Sequence, residues 1–151
     1  MMHAPTLAAA GALPAAAADT DIATVIGEIY DAATKPELWP RVLETCRQFV
    51  GGMSATIFAK NVSGTQFRVY SVDGRFDPEV AADYSGRFAS IDPSNPIQVF
   101  ADVDNAIITS RMVDLDDFLN SRFAREWAQP AGFSDMVVAP IERRGSWSAL
   151  F

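Results

Sequence analysis

Hydrophobic positions spaced three and four residues apart predict two helices in the first third of the chain. The first begins at Asp19 and ends at Lys35-Pro36, and the second ends at Gly51-Gly52. Each helix has one apolar face, as is typical of helices that pack on a core. The first face consists of Ile22, Val25, Ile26, Ile29 and Ala33, and the second of Trp39, Val42, Leu43, Cys46, Phe49 and Val50.

The pattern then changes to the alternation that is typical of strands. Ser54 to Lys60 and Thr65 to Val72 are rich in β-branched and aromatic residues, and Asn61 to Gly64 between them is a turn sequence. These segments predict a β-hairpin. A third helix is predicted from Asp77-Pro78 onward, and Asp92-Pro93 ends it. Its apolar face consists of Val80, Tyr84, Phe88 and Ile91.

A fourth helix is predicted from Asp114 to Gln129, because acidic residues fill its first turn and Pro130 follows its end. Its apolar face consists of Leu115, Phe118, Leu119, Phe123 and Trp127. Ahead of it, Ala106 to Thr109 is predicted as a short strand, while Ile97 to Val103 fits both a short helix and an extended segment.

The end of the chain reads as two strands. Ser134 to Glu142 and Ser146 to Phe151 alternate, and Arg143 to Gly145 joins them. Helices and antiparallel hairpins therefore succeed one another in irregular order, without βαβ alternation. This order predicts an α+β domain with an antiparallel sheet flanked by helices.

Length and composition indicate one folded domain preceded by a tail. The 151 residues are 49% hydrophobic and 21% charged, a balance typical of a globular chain. Residues 1–18 are rich in Ala and Pro, so we expect a disordered tail there and the α+β domain over residues 19–151. A signal peptide is the alternative, but it needs a positive n-region, and no Lys or Arg precedes Lys35.

Charge and cysteine content narrow the partners and the compartment. Acidic residues outnumber basic ones by 19 to 12, the net charge is −7, and no Lys/Arg cluster forms a stripe. Direct nucleic-acid binding is therefore not expected. The single cysteine, Cys46, cannot form an intramolecular disulfide, which favours the cytoplasm. No apolar run is long enough for a transmembrane helix, so we expect no membrane association.

The chain lacks the side chains that common catalytic and metal sites need. Its only histidine, His3, lies in the predicted tail, so neither a Ser-His-Asp triad nor a Cys-His pair can be assembled in the domain. Cys46 lies on an apolar stripe and is expected to be a buried, inert thiol. Asp114, Asp116 and Asp117 could hold a hard cation, but acids at a helix N-terminus are what the macrodipole favours. We predict no catalytic residue, no metal site and no cofactor.

Aromatic side chains with polar tips are the candidates for a ligand site. Small-molecule pockets are apolar and aromatic with a few placed polar groups, and such side chains could line one between sheet and helices. The alternative for each of them is an ordinary core or rim position. The predicted ligand-binding residues are Tyr70, Tyr84, Phe88, Asp92 and Trp127.

Several segments, taken in order, resemble the N-terminal sensory region of bacterial LuxR-type transcription regulators. They are Ile26 to Ala33, Pro36 to Glu44, Tyr84 with Asp92-Pro93, and Phe123 to Gly132, within residues 22–151. The resemblance implies a front domain of the PAS, GAF or autoinducer-binding kind, ahead of a C-terminal helix-turn-helix that binds DNA. Such a DNA-reading segment is not part of this sequence, so we expect a fragment or a truncated product that is cut within its last strand.

The resemblance also implies a role for one acid. Asp92-Pro93 resembles the Asp-Pro of homoserine-lactone receptors, in which the acid accepts a hydrogen bond from the ligand amide. Those receptors also carry a Trp and a Tyr four residues apart ahead of the Asp, whereas Pro78 to Ile91 contains Tyr84 and no Trp. A different small apolar or amphipathic ligand is therefore expected. A turn role for Asp92 before Pro93 is the alternative.

The sequence supports four hypotheses for function. The leading one is a cytoplasmic sensory domain that binds a small ligand and, in the complete regulator, biases the DNA-binding part between two states. The second is a dimerisation or protein-interaction module of the same regulators without a small-molecule ligand; a homodimer is expected. A secreted α+β protein is the third. An enzyme, based on carboxylates such as Asp92 and Asp114, is the fourth.

Overall fold

The helices of the chain are short after the first two. The structure is a computed structural model that describes residues 21–75 and 77–151, so the predicted tail at residues 1–18 lies outside it. Within the described ranges the α-helices are α1 (Ile22–Thr34), α2 (Trp39–Val50), α3 (Pro78–Asp83), α4 (Asn95–Phe100) and α5 (Leu115–Asn120). Two further helical segments have π geometry, Tyr84–Phe88 and Ala124–Ala128.

The strands pair only in antiparallel fashion within the described ranges. They are β1 (Thr56–Asn61), β2 (Phe67–Val72), β3 (Ile107–Ile108), β4 (Val137–Val138), β5 (Pro140–Arg144) and β6 (Trp147–Leu150). The larger sheet has the order β2–β1–β6–β5, and β3 and β4 form a separate ladder. The chain is thus an α+β domain with an antiparallel sheet and helices, which confirms the predicted fold class.

The predicted hairpin between β1 and β2 is confirmed. Its turn spans Asn61 to Gly64, and the Asn61 side chain accepts a hydrogen bond from the Gln66 amide at 3.0 Å. Gly64 has a φ of +67°, a conformation that a residue with a Cβ adopts only with strain. A Cβ at Gly64 would also lie 2.6 Å from Nδ2 of the Asn95 side chain. Glycine therefore allows the turn to lie directly against α4.

The prediction that the apolar face of α1 packs on the core is wrong for the residues at the centre of that face. Val25 and Ala32 are buried against α2, whereas Ile22, Ile26 and Ile29 are 59%, 48% and 38% exposed. Val25 and Ala32 lie at one side of the apolar arc, because two residues seven apart nearly overlie each other on a helix. Ala32 has only a methyl group, so α2 approaches α1 closely at that side. No residue of the described ranges fully covers the rest of the apolar arc.

The apolar face of α2 agrees better with prediction. Val42, Leu43 and Cys46 are buried, and Trp39 and Phe49 pack around them. Gly51 ends the helix with a φ of +71°, as the Gly-Gly pair predicts. The prediction of a buried Cys46 is confirmed, and burial raises the pKa of its thiol.

The predicted third helix is not one continuous α-helix. After α3, the amide of Ala89 donates to the carbonyl of Tyr84, five residues back, which defines a π-helical turn. The extra residue in this turn rotates the next residues around the helix axis. Tyr84 and Phe88 are buried as predicted, but Ile91 is turned out to solvent.

The predicted helix from Asp114 to Gln129 is interrupted at Ser121, whose backbone is extended. The Ser121 hydroxyl accepts from the Ala124 amide at 3.0 Å and begins a new helical segment. Serine stabilises such a cap better than a helix interior. The segment after the break turns Phe123 and Trp127 inward, while Leu115 is exposed.

The predicted strand from Ser134 to Glu142 is divided in two. Val137 and Val138 pair with β3, and β5 pairs with β6. Ala139 between them exchanges both backbone hydrogen bonds with Phe151, at 2.7 and 2.9 Å. The segment Ile97 to Val103, which fits two conformations by its sequence, begins as part of α4. None of the helices in the described ranges is long and apolar enough to span a membrane.

Candidate functional site

A cluster of polar side chains is buried between the larger sheet and the short helices. Its centre is Asp92, which comes after the first π turn, and its other members are Lys60 of β1, Tyr84, Ser94 and Gln98 of α4. Lys60 is 3% exposed and Asp92 is 5% exposed. We call these five residues the Asp92 cluster. Charged groups are almost never buried to this degree unless they are paired.

The Asp92 carboxylate receives four hydrogen bonds. Its Oδ2 accepts from Tyr84 OH at 2.8 Å and from Lys60 Nζ at 3.1 Å. Its Oδ1 accepts from the amide and the hydroxyl of Ser94 at 2.9 and 2.5 Å. A carboxylate has about four acceptor positions, so Asp92 is fully occupied.

Gln98 closes the cluster into a ring. Its Oε1 accepts from Lys60 Nζ at 2.6 Å, and its Nε2 donates to Ser94 Oγ at 2.8 Å. Ser94 Oγ in turn donates to Asp92, so each donor in the ring meets an acceptor. Next to the ring, the buried Oδ1 of Asn95 has no hydrogen-bond partner within the described ranges. One acceptor beside the cluster is therefore free.

Burial sets the electrostatics of the cluster. The pKa of Lys60 is lowered by loss of solvent, although the adjacent Asp92 carboxylate opposes this effect. The pKa of Tyr84 is raised well above its ordinary value, first by burial and then by the charge of Asp92. The Lys60 ammonium also lies 5.0 Å from the centre of the Tyr84 ring, where the ring face attracts a cation. The pKa of Lys60 and the pKa of Tyr84 thus both depend on the Asp92 carboxylate.

Aromatic rings enclose the cluster on its helical side. The Tyr84 ring centre lies 4.9 Å from that of Trp127 and 5.0 Å from that of Phe67. Phe123 contacts both Tyr84 and Trp127, at 6.2 and 5.2 Å. The Trp127 indole N–H donates to the carbonyl of Val80 at 3.1 Å. The space around Tyr84 is thus occupied by side chains rather than by a preformed cavity.

Four of the five predicted ligand-binding residues come together here. Asp92 and Tyr84 belong to the Asp92 cluster, and Phe88 and Trp127 are buried in the aromatic core that includes Tyr84. Tyr70 does not join them, because it is 65% exposed on the edge strand β2. The alternative turn role of Asp92 is also present, since its carboxylate accepts from the Ser94 amide, two residues on, just before α4.

Sequence reasoning missed three members of the cluster. Lys60 lies two residues after Phe58 in a strand, and this spacing places both on one face. Ser94 and Gln98 are four residues apart, as neighbours on a helix are. A lysine on the same strand face as an apolar phenylalanine is a signal from which the burial of Lys60 could have been predicted. The Ser94 and Gln98 contacts depend on the long-range approach of α4 to β1.

The acids at the start of α5 have a structural role. Asp114 is the N-cap, and its carboxylate accepts from the Asp117 amide at 3.0 Å. Asp116 and Asp117 lie in the first turn, where the helix dipole favours them.

Comparison with the models of known families, with curated proteins and with solved structures gives no match. The fold and the site therefore define the class by themselves: an α+β domain whose core holds a closed Lys-Asp-Tyr-Ser-Gln network.

We expect Lys60→Met to reduce the free energy of unfolding by about 3–5 kcal/mol, because it leaves the Asp92 carboxylate buried without a cation. Adding Asp92→Asn should restore part of that loss, since the second substitution removes the unpaired charge. Chemical denaturation measures both. The chain has one other lysine, Lys35, which is exposed, and Lys35→Met should change stability by less than about 0.5 kcal/mol. Equal effects of the two methionine variants would contradict the ion pair.

The raised pKa of Tyr84 predicts that the domain loses stability at alkaline pH. Because its folded pKa is raised above the ordinary value of 10.0, the unfolded chain releases this proton first. The stabilisation is complete below about pH 10 and falls as the pH rises further, by up to about 1.4 kcal/mol per pH unit. The Tyr84→Phe variant should lack this component, because phenylalanine keeps the ring and has no proton to release. The prediction would be contradicted if the free energies of unfolding of wild type and variant changed in parallel from about pH 8 to about pH 11.

Proposed function

We propose that this chain is the sensory domain of a LuxR-type transcription regulator and that a small amphipathic ligand binds at the Asp92 cluster. The observation that carries the proposal is the buried Lys60–Asp92 pair, placed next to aromatic residues of two π-helical turns. The resemblance of the sequence to such regulators, including Asp92-Pro93, supports the same assignment.

Stability alone does not account for the pair. Desolvation of two charges costs about as much as their attraction returns, and a well-packed apolar pair is often equally stable or more so. Besides joining the sheet to the helical layer, Lys60 and Asp92 would therefore serve a further purpose. Recognition of a polar ligand group is one such purpose, because both charges would contact the ligand in a water-poor environment.

The π-helical turns point to the same region. Such turns are rare and occur frequently at functional sites. One carries Tyr84 and Phe88, and the other carries Trp127. The rings of Tyr84 and Trp127 are in contact, and Trp127 would take the place of the tryptophan that is missing ahead of Asp92 in the sequence.

The groups of the cluster define the ligand chemistry. Asp92 accepts four internal hydrogen bonds, so a ligand N–H would take the place of Tyr84 at Oδ2, whereas Asn95 Oδ1 has no partner within the described ranges and would accept one directly. A ligand with one N–H, one carbonyl and an apolar chain would make this exchange, accept from Lys60 and contact the rings. A secondary amide is the simplest such molecule. Because the site is filled, the ligand would bind a minor state in which Trp127 or Tyr84 has moved, and would increase its population.

The test is thermal unfolding with a series of N-acyl secondary amides of increasing chain length. A ligand present at 100 times its Kd should stabilise the domain by about 2.7 kcal/mol, or roughly 5–10 °C in Tm for a chain of this size. Asp92→Asn should remove this response, and Asp102→Asn, an exposed acid elsewhere, should keep it. No stabilisation across the series would refute the ligand. An unchanged response in Asp92→Asn would refute the site.

A second candidate function is dimerisation, and the uncovered face of α1 favours it. Ile22, Ile26 and Ile29 form an exposed stripe, and Tyr30 beside it is 74% exposed. Contiguous exposed apolar surface of this kind marks interaction sites. A second copy of the chain, packed through the same stripe about a twofold axis, would cover it on both partners.

Sedimentation equilibrium measures this directly. We expect the wild-type chain to be a dimer at tens of micromolar and Ile26→Glu to be a monomer, because a charge in the centre of an apolar interface is costly to bury. Met112→Glu, at an equally exposed methionine outside α1, should remain a dimer. A monomeric wild type would exclude the α1 interface.

A further inference from the structure

The second face of the larger sheet holds a trough that the Asp92 cluster does not reach. Successive residues of a strand point to opposite faces, and Lys60 and Ser148 are buried on the face of the Asp92 cluster. Ala59 and Ala149 therefore point to the other face. They form the floor of a trough of about 320 Å³. We call this concavity the sheet trough.

The walls of the sheet trough come from the two edge strands and one end of β6. Arg68 and Tyr70 rise from β2, Glu142 and Arg144 rise from β5, and Trp147 closes one end. These long side chains stand on either side of the alanine floor.

The floor is low because the two central strands carry alanines at neighbouring positions. Across the sheet, Arg68 pairs with Ala59, Ala59 with Ala149, and Ala149 with Glu142. The row from Arg68 to Glu142 spans three strand spacings, or roughly 14 Å. The methyl groups of Ala59, which is buried, and of Ala149, which is half-buried, make an apolar floor between polar walls, on which a flat ring system would lie.

The charges of the trough are unequal. Arg144 pairs with Glu142 at 2.8 Å, which cancels both charges. The Arg68 guanidinium lies 4.9 Å from the Trp147 ring centre, and within the described ranges it has no carboxylate partner. A guanidinium that lies over an indole ring can still present two parallel N–H donors to a carboxylate. The trough thus has a net charge of +1 on a chain whose net charge is −7.

We propose that the sheet trough binds a small planar aromatic carboxylate. The aromatic part would lie on the Ala59–Ala149 floor, and the carboxylate would accept two parallel hydrogen bonds from Arg68, the geometry in which guanidinium and carboxylate match best. A single negative charge balances the trough. Its volume lies at the lower end of the range of about 300–1,000 Å³ typical of small-molecule sites.

This site is independent of the Asp92 cluster. The two lie on opposite faces of β1 and β6, and they share no side chain. A ligand in the trough would contact β1 at Ala59, directly before Lys60, so the two sites are adjacent along the strand.

Titration of the whole chain with 2-naphthoate, measured by calorimetry and by Trp fluorescence, tests the proposal. The neutral 2-naphthamide has nearly the same shape and should bind at least about tenfold more weakly, because it lacks the charge that Arg68 recognises. Arg68→Met keeps most of the side-chain length and should remove the preference for the acid. Arg125→Met, at an exposed arginine outside the trough, is the matched control and should behave like wild type.

Ala149→Ile provides a second test that leaves the charges in place. Isoleucine favours strands, so the fold should persist, which circular dichroism and Tm verify. The larger side chain raises the floor and should reduce naphthoate affinity at least about tenfold. Any one of four results would overturn the proposal. They are equal affinity for acid and amide, unchanged binding by Arg68→Met, no effect of Ala149→Ile in a folded protein, and absence of naphthoate binding. Retained naphthoate binding in the folded Lys60→Met, Asp92→Asn double variant, which has no unpaired charge, is expected and separates this site from the proposed sensory site.

Discussion

The buried ion pair between Lys60 and Asp92 is the constraint on which the interior of this domain depends. Lys60 belongs to a central strand, and Asp92 lies in the segment between the first π turn and α4. Because an unpaired charge in a protein interior is very costly, these two segments must meet in one register. The positions of Ser94 and Gln98 result from this requirement, since they occupy the remaining hydrogen-bonding positions of the pair. The sheet and the helical layer are thereby joined through one network.

The same network explains why the helical layer is irregular. Tyr84 must place its hydroxyl on Asp92 and its ring against Trp127 and Phe67 at once. Each π turn changes the rotation of the chain that follows it, so Tyr84 and Phe88 face inward while Ile91 is turned out. The turn at Gly64 contributes from the other side, because its missing Cβ lets Asn95 lie against it. Short helices with few internal hydrogen bonds are also the parts of a fold that open most easily, which suits a domain proposed to admit a ligand.

The two faces of the sheet have different chemistry for a simple reason. On one face, alternating positions of β1 carry Phe58 and Lys60, which fill the interior. On the other, Ala59 and Ala149 leave space that the long side chains of the edge strands border. The proposed sensory site and the proposed anion site thus lie on neighbouring residues of the same strands, and the exposed stripe of α1 adds a third surface of a different kind.

The sequence by itself determined the fold class, the first hairpin, the limits of α2 and the burial of Cys46, because these depend on local periodicity, turn residues and caps. Tyr84, Phe88, Asp92 and Trp127, which the sequence predicts as ligand-binding residues, lie close together in the structure. The wrong predictions concern Ile22, Ile26, Ile29, Ile91 and the helix across Ser121. Apolar periodicity shows that a helix has an apolar arc, but the neighbouring element decides which side of the arc is covered. Only the tertiary structure decided the partnership of Lys60 with Asp92 and Gln98 and the position of Tyr70 on an exposed edge strand, because these contacts join residues that are distant along the chain.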